Sequence, residues 1–339
     1  MDIKSLNLEE LKSLMKDISQ PSYRAGQIYD WMHNKLATDY DSMSNLPESL
    51  REILKKDYPY TVLTIDRMQE SKSDGTRKYL FALPDGNFVE SVFMRYKHGN
   101  SVCISSQVGC RMGCKFCAST LGGLVRSLEP SEMVEQIYAI TRDTGERVSN
   151  IVVMGIGEPL DNYDNLIRFY ELITDEKGLN ISGRNITVST CGIVPNIYRL
   201  ADEHLSLTLA ISLHATTDEK RRSIMPIANE YTINEVIDAC KYYADTTGRR
   251  ISIEYSLIGG VNDSIEEADK LGHIASRIGA HINLIPVNPV KERGFKRGDR
   301  TAIEAFKNKL EKNANNVTIR REMGQDIDGA CGQLRRKHL

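Results

Sequence analysis

From about residue 100 onward, β-like segments alternate with helix-like segments, such as 130–144, 233–247 and 264–279. The β-like segments of this region are 101–106, 150–155, 185–190, 207–213, 251–258 and 281–287. Strands that alternate with helices in this way form a parallel sheet. Six such units are too few to close an eight-stranded barrel. The pattern therefore predicts an α/β fold that is either a partial barrel or an open doubly wound sheet.

The segments on either side of this region predict smaller units. The first has apolar residues at helical spacing, and the second is β-like, with tight turns at Asp74-Gly75 and Asp85-Gly86. The last contains a helix, a strand and a glycine-rich tail with Cys331. We therefore predict four parts: a helical accessory domain at 1–60, a β extension at 61–95, the α/β domain at 96–300 and a C-terminal segment at 301–339.

The composition is that of an ordinary globular chain, with 40% hydrophobic and 27% charged residues. No apolar run approaches the roughly 18 residues that cross a bilayer, and the N-terminus lacks the apolar core of a signal peptide. We therefore expect a cytoplasmic protein without a membrane partner. The net charge is −2, so any binding to nucleic acid depends on local basic segments such as 291–300 and 335–337.

Polar residues follow several of the predicted strands at the point where each strand ends. They are Gly157, Glu158, Ser189, Ser212, His214 and Asn288. Any one of them alone is more often a cap or turn residue. Ligands of parallel α/β folds bind at the carboxyl ends of the strands, so the recurrence predicts a ligand site along one rim.

Three of the seven cysteines, Cys110, Cys114 and Cys117, lie within eight residues after the first strand of the α/β region. In a reducing compartment such a group more often binds metal than forms disulfides. Structural zinc needs a fourth ligand, and Cys191 and Cys240 are isolated. A 4Fe–4S cluster held by three cysteines leaves one iron open to a substrate. The spacing by itself leaves both kinds of site open.

The cysteine spacing, with Phe116 before the last cysteine, resembles the signature of the radical S-adenosylmethionine (radical SAM) superfamily, and 154–160 resembles its glycine- and glutamate-containing loop. Longer motifs resemble the bacterial dual-specificity 23S rRNA and tRNA adenine-carbon-2 methyltransferases over nearly the whole chain. These motifs are 103–110, 189–195, 212–214, 283–289 and 327–334. Pro159 and Cys191 stand where the sister family, which methylates carbon 8 of adenine, tends to have other residues. The resemblance therefore favours carbon 2.

The resemblance implies a partial (β/α)6 radical SAM barrel with two cofactors. A 4Fe–4S cluster would be held by Cys110, Cys114 and Cys117. Two molecules of S-adenosylmethionine would be used per turnover. The implied contacts to S-adenosylmethionine are Gly157, Glu158, Ser189, Ser212, Leu213, His214 and Asn288. The implied partners are 23S rRNA and tRNA, with the helical domain as a candidate RNA contact, and an electron donor such as flavodoxin.

The resemblance also implies three catalytic residues. Cys331 would carry a methyl group, Cys103 would resolve a covalent protein–RNA intermediate through a transient disulfide, and Glu90 would accept a proton. Without the resemblance, Cys331 is a thiol in a surface tail, Cys103 is a buried core residue and Glu90 is a solvent-facing carboxylate. Two alternative functions remain: carbon-8 methylation, and RNA binding by a zinc-stabilised protein without catalysis.

Overall fold

The structure is a computed structural model that describes residues 2–288, 290, 292–321, 323–330 and 332–334. Its α-helices are α1 (Leu8–Asp17), α2 (Tyr23–His33), α3 (Glu48–Asp57), α4 (Pro130–Thr144), α5 (Tyr163–Thr174), α6 (Val194–Asp202), α7 (Asp218–Ile224), α8 (Ile233–Thr247), α9 (Ile265–Ser276) and α10 (Arg300–Lys312). Its β-strands are β1 (Thr64–Glu70), β2 (Arg77–Ala82), β3 (Phe88–Tyr96), β4 (Gly99–Ile104), β5 (Gln107–Gly109), β6 (Leu124–Ser127), β7 (Val148–Val153), β8 (Ile186–Thr190), β9 (Thr208–Ser212), β10 (Ser252–Leu257), β11 (His281–Pro286) and β12 (Asn316–Ile319).

One sheet of ten strands, in the order β1-β2-β3-β4-β7-β8-β9-β10-β11-β12, forms the centre of the molecule. Strands β1 to β4 pair antiparallel. From β4 to β12 every pairing is parallel, so β4 belongs to both parts. Strands β1 and β12 are the two edges of the sheet within the described residues. The predicted α/β fold with an unclosed parallel sheet is therefore confirmed, and β12 adds a seventh parallel strand to the six of the repeat.

Local sequence signals account for these elements. The central strands are apolar because helices or the chain cover both faces, as in β9, where Leu209, Ala210 and Ile211 follow one another and are fully buried. Helix α4 ends at Gly145, which has a φ of +66° and so adopts the left-handed C-cap conformation. Helix α8 begins with a capping box between Thr232 and Glu235.

The N-terminal helices α1 to α3 share one hydrophobic core with the α/β unit. A buried ion pair joins the two: Lys4 Nζ lies 2.7 Å from Oε2 of Glu135 on α4, and both side chains are fully buried. The same ammonium group donates to the carbonyl oxygen of Thr61 (2.5 Å). Burying a charge is costly unless it is paired, so these bonds fix the helical segment against α4. Among the described residues, none of these helices is long and apolar enough to cross a membrane.

Candidate active site

A cavity lies at the carboxyl ends of the parallel strands, where the loops after β5, β7, β8, β9 and β11 meet. Among its lining residues are Cys110, Cys114, Cys117, Gly157, Glu158, Ser189, Ser212, His214 and Asn288. The cysteine loop and the polar rim, which are far apart in the sequence, thus face one space. This is the arrangement that the strand-end rule predicts for a ligand site.

The cysteine loop is held in shape by its own backbone and by one threonine. Cys110 follows β5, and its N–H donates to the carbonyl oxygen of Gly123 (3.0 Å). The Thr120 hydroxyl lies within hydrogen-bond distance of the carbonyl oxygens of Cys114 (3.1 Å) and Cys117 (3.0 Å). The backbone between the cysteines is therefore ordered by protein contacts.

The thiols of the loop influence one another's ionisation. Burial raises the pKa of Cys110 to about 12, and the negative charges of Glu158 and Cys117 add to this effect. Burial also raises the pKa of Cys114 well above its ordinary value, with further contributions from Cys117 and Cys110. Thiolates in this position need a positive group beside them, and a cluster bound through cysteine sulfur provides one.

The donor set bears on the two metal hypotheses. Cys110, Cys114 and Cys117 line one cavity. Structural zinc requires four ligands around a single point, whereas each cysteine of a 4Fe–4S cluster binds a different iron. Three thiols beside one cavity are the donor set of a 4Fe–4S cluster with one open iron.

Glu158 is almost completely buried, with 4% of its surface exposed. Its Oε2 accepts from the N–H of Cys191 (2.8 Å) and its Oε1 from the N–H of Leu160 (3.0 Å). Its own N–H donates to Oε1 of Gln107 (2.9 Å). Burial raises the pKa of this carboxyl group. The two hydrogen bonds to its oxygens fix the orientation of the carboxylate at the cavity wall. A carboxylate in this position can accept from a ligand ammonium group.

Two hydroxyl groups and an imidazole at the ends of β8 and β9 line the cavity. The Oγ atoms of Ser189 and Ser212 are 3.3 Å apart. His214 Nδ1 accepts from the N–H of Ser256 (2.9 Å), and its ring meets Phe116 edge-on, with 4.8 Å between ring centroids. Burial lowers the pKa of His214 to about 3. The ring is therefore neutral, with its proton on Nε2, and is a hydrogen-bond donor toward a ligand.

Leu213 differs from its neighbours. Its side chain is fully buried and belongs to the main hydrophobic core, while Ser212 and His214 line the cavity. Its backbone N–H donates to the carbonyl oxygen of Glu254 on β10 (3.1 Å). Leu213 thus ties the ends of two strands together, and its predicted contact with a ligand remains a prediction.

Cys103 lies in a second cavity beside the first. Cys103 is 8% exposed. The two cavities share Met154, Asn288, Arg320 and Leu334 in their walls. The second cavity is thus continuous with the wall of the cysteine cavity.

Glu90 is buried, with 2% of its surface exposed, and does not face solvent as its alternation in β3 would ordinarily indicate. Its Oε1 forms an ion pair with Lys78 Nζ (3.2 Å). Its carbonyl oxygen accepts from the hydroxyl of Ser105 (2.7 Å), just beyond β4. Antiparallel pairing of β3 with β4 thus places Glu90 near the same strand end as Cys103.

Cys331 lies outside the described residues, but its neighbours on both sides are described. Gly329 and Ala330 line the second cavity, and Gly332 lines the first. Leu334 lines both. The tail therefore passes along the boundary between the cysteine cavity and the cavity of Cys103.

The two basic segments are described to different extents. Residues 335–337 and Lys291 lie outside the described residues. In the rest of 291–300, Arg293 Nη2 donates to the Thr120 hydroxyl (2.9 Å), and Phe295 packs against the same apolar cluster as Cys114 and Phe116. This segment therefore lies beside the cysteine loop, and its contact with RNA remains a prediction.

Sequence reasoning missed three charged residues at this site. Glu254 and Arg320 line the first cavity. Arg221 is fully buried and donates to the carbonyl oxygens of Cys191 and Leu213, just past β8 and β9. An acidic residue inside the apolar segment 251–258 was a usable signal for Glu254. Arg221 lies in a run of charges that ordinarily marks a solvated helix face, so the sequence offered no such signal for it.

Comparison with known proteins places these features in a family. The family model described as "Radical SAM superfamily" matches residues 104–272, and "Ribosomal RNA large subunit methyltransferase N-terminal domain" matches residues 1–58. A probable dual-specificity RNA methyltransferase RlmN from Lachnospira eligens is 63% identical over 338 residues, which are 100% of this chain and 97% of that protein. The corresponding protein from Lachnoclostridium phytofermentans is 58% identical, with coverage of 100% and 95%.

A solved structure agrees with these sequence matches. The crystal structure of a radical SAM methyltransferase from Sphaerobacter thermophilus superimposes with a TM-score of 0.95. Its sequence is 43% identical, and the match covers 98% of this chain and 99% of that one. The helical N-terminus, the sheet and the C-terminal segment are therefore shared with that protein.

Proposed function

This chain belongs to the dual-specificity radical SAM RNA methyltransferases, and we propose that it methylates carbon 2 of adenine in 23S rRNA and tRNA. The observation that supports this proposal most is that three features of the chain lie next to one another in the structure. They are the cysteine loop, the polar rim, and the described residues on both sides of Cys331. The family assignment supplies the reaction class, and this arrangement supports a role of Cys331 as a thiol carrier beside the proposed cofactor site.

The proposed cofactor site uses the residues of the first cavity. Cys110, Cys114 and Cys117 would bind the 4Fe–4S cluster. Glu158 would accept from the ammonium group of S-adenosylmethionine, and the hydroxyl groups of the rim would contact its ribose and carboxylate. When bound, the cluster and S-adenosylmethionine supply the methyl group and the radical that removes one hydrogen atom. They also supply the acceptor for the one electron that the covalent RNA–protein adduct later loses. Two molecules of S-adenosylmethionine are used per methyl group.

A thiol carrier is needed because carbon 2 of adenine is electron-poor and does not attack a methyl cation donor. In the proposed sequence the Cys331 thiolate first takes a methyl group. After one hydrogen atom is removed, the methylene carbon adds to carbon 2, which joins RNA and protein through the Cys331 sulfur. The packing of Met323 and Leu334 with Cys103 in one apolar cluster supports this role, because these residues bracket position 331.

Release of the product needs a bond to sulfur to break and a proton to leave. The Cys103 thiolate would attack the sulfur of Cys331, because thiolates attack divalent sulfur readily. A disulfide then forms, the electron pair of the carbon–sulfur bond stays on the former methylene carbon, and a proton completes the methyl group. Glu90 would take the proton from carbon 2. An external thiol reductant returns the disulfide to two thiols before the next turnover.

The RNA partner and the reductant follow from the same proposal. The target adenine must leave its stack to reach a cavity at the end of a sheet. The basic segment 291–300, which is bonded to the cysteine loop through Arg293, is the proposed contact with the RNA backbone near the base. The helical N-terminal domain is the proposed contact further away. The electron that reduces the cluster would come from a donor such as flavodoxin.

Analysis of modified nucleosides tests the proposal. Protein purified and reconstituted without oxygen would be incubated with S-adenosylmethionine, a reductant and unmodified 23S rRNA or tRNA, and the digested nucleosides would be separated by mass spectrometry. We expect 2-methyladenosine in both RNAs, with one S-adenosylhomocysteine and one 5′-deoxyadenosine per methyl group. The appearance of 8-methyladenosine instead would refute the position of methylation. A colourless protein containing zinc and no iron would refute the mechanism.

A further inference from the structure

The C-terminal tail returns to the β extension, about 250 positions earlier in the chain. The N–H of Gly324 donates to Oδ2 of Asp74 in the turn between β1 and β2 (3.0 Å). Asp74 is itself fixed, because its Oδ1 accepts from the N–H of Thr76 (2.9 Å). A carboxylate at the tip of this hairpin therefore binds the backbone of the tail.

The shape of the tail matches this contact. Gly324 has a φ of +62°, and a β-carbon there would lie 3.0 Å from Cγ2 of Thr76. A side chain at position 324 would meet both a backbone strain and the hairpin. The N–H of Gly329 donates back to the carbonyl oxygen of Gly324 (3.0 Å), which closes the tail into a compact turn. A glycine at position 324 therefore favours the close approach of the tail to the hairpin.

Two further bonds extend the contact. The N–H of Lys72 donates to Oδ2 of Asp326 (3.1 Å). Lys78 Nζ lies 3.4 Å from the carbonyl oxygen of Asp328 and also forms the ion pair with Glu90. The segment 72–78 therefore holds the tail through three separate residues, one of which also touches the proposed proton acceptor.

The tail is held again after position 331, by a different part of the molecule. The N–H of Ala118 donates to the carbonyl oxygen of Gly332 (2.9 Å), and the hydroxyl of Ser119 donates to that of Leu334 (2.9 Å). Both donors directly follow the last cysteine of the cysteine loop. Position 331 is therefore bracketed by one attachment to the β extension and one to the cysteine loop.

We propose that the hairpin segment 72–78 is a docking site that positions the carrier tail, with Asp74 and Gly324 as positioning residues. This inference rests on the proposed function, in which Cys331 carries the methyl group. The dock limits the tail to a path along both cavities, so that the carrier meets S-adenosylmethionine and Cys103 in turn. The dock has no contact with the cysteine loop or the rim in the bonds described above. Its loss therefore reduces transfer to the carrier without affecting cleavage of S-adenosylmethionine.

The test compares variants of the full chain, reconstituted with its cluster. Gly324→Ala and Asp74→Ala remove the dock. Asp74→Asn keeps one of the two acceptor oxygens, so it should weaken the dock less than Asp74→Ala does. Gly86→Ala is the matched control, because Gly86 is the glycine of the next hairpin, has a φ of +80° and has nothing within 4 Å of an added β-carbon.

Three readouts are taken from each variant. We expect hydrogen exchange in the tail to rise roughly ten-fold in the two dock variants, since each loses a backbone hydrogen bond worth about that factor. Intact-mass analysis should show slower methylation of Cys331, while 5′-deoxyadenosine formation without RNA stays at the level of Gly86→Ala. Asp74→Asn should fall between Asp74→Ala and the parent protein in exchange and in methylation of Cys331.

The outcomes separate the dock from the function on which it rests. Unchanged exchange in the tail of both Gly324→Ala and Asp74→Ala would overturn the dock. Faster exchange with unchanged methylation of Cys331 would show that the contact is structural, and would overturn the positioning role. If the parent protein itself never carries a methyl group on Cys331, the proposed function fails, while the exchange result still decides whether the tail is docked.

Discussion

Replacement of Gly157 by alanine should damage both the fold and the cofactor site. A β-carbon at this position would lie 2.7 Å from Cβ of Gln107, 2.7 Å from Oγ of Ser106 and 2.8 Å from the N atom of Gln107. Favourable carbon–carbon contacts are about 3.5–4.0 Å long, so the overlap approaches 1 Å. The φ of +110° is also one that a residue with a side chain rarely adopts.

The cost can be estimated from these two effects. Forcing a methyl group into a packed site costs about 1–3 kcal/mol, and a backbone conformation of this kind costs about 1–3 kcal/mol more. The loop cannot move aside freely, because the N–H groups of Ser106 (2.9 Å) and Gln107 (3.1 Å) both donate to the carbonyl oxygen of Ile156. We therefore expect Gly157→Ala to lower the free energy of unfolding by about 2–6 kcal/mol.

Gly145→Ala is the control for this prediction. Gly145 also has a positive φ of +66°, but nothing lies within 4 Å of an added β-carbon, so only the backbone term of about 1–2 kcal/mol applies. Urea denaturation of both variants without the cluster gives the difference. Binding of S-adenosylmethionine to the reconstituted proteins should fall at least roughly ten-fold in Gly157→Ala alone, since Glu158 is displaced. Equal unfolding free energies for the two variants would refute the packing argument.

Three further predictions concern the core and the thiols. Burial lowers the pKa of both His33 and His214 to about 3. Both rings are neutral in the folded protein and take up protons on unfolding. The free energy of unfolding should therefore fall as the pH drops below 6.5, by about 1.4 kcal/mol per pH unit for each histidine. Urea midpoints between pH 7.5 and 5 check this, and His33→Gln should halve the slope. The Cys103→Ala protein should cleave S-adenosylmethionine but stop at a covalent protein–RNA adduct, seen as a nuclease-sensitive band on a denaturing gel. The band should be absent in the Cys103→Ala/Cys331→Ala double variant. Normal turnover by Cys103→Ala would show that Cys103 is only a buried core residue. Arg221→Met should lower the free energy of unfolding by about 2–4 kcal/mol, because it leaves buried carbonyl oxygens after β8 and β9 without a donor. Arg221→Lys should recover part of the lost free energy. An unchanged urea midpoint in Arg221→Met would contradict the prediction.

The sequence predicted the strands of the parallel sheet well, because burial makes them apolar and because they alternate with helices along the chain. A parallel strand is covered on both faces, so segments such as 207–213 are mostly apolar and stand out between amphipathic helices. The strand-end rule then predicts that Ser189 and Ser212 line one rim. Their Oγ atoms are indeed 3.3 Å apart.

The parts that sequence did not predict depend on contacts between distant segments. Glu90 has the spacing of a solvent-facing residue in β3, and it is buried because Lys78 on the neighbouring strand pairs with it. Arg221 looks like part of a solvated helix face, and it is buried because three carbonyl oxygens accept from its guanidinium group. Local patterns carry no information on such partners.

The two adjoining cavities give the proposed chemistry a physical order. A thiolate beside S-adenosylmethionine would compete for its methyl group, so the resolving thiol has to be kept away from the carrier's methyl donor. Cys103 lines the second cavity, whereas Glu158 and the cysteine loop line the first. The described tail residues Gly329, Ala330 and Gly332 lie along both cavities, so in the proposed sequence a carrier at position 331 would meet both spaces while Cys103 lies in one. The separation of the cavities would then let one thiol be methylated while the other attacks sulfur.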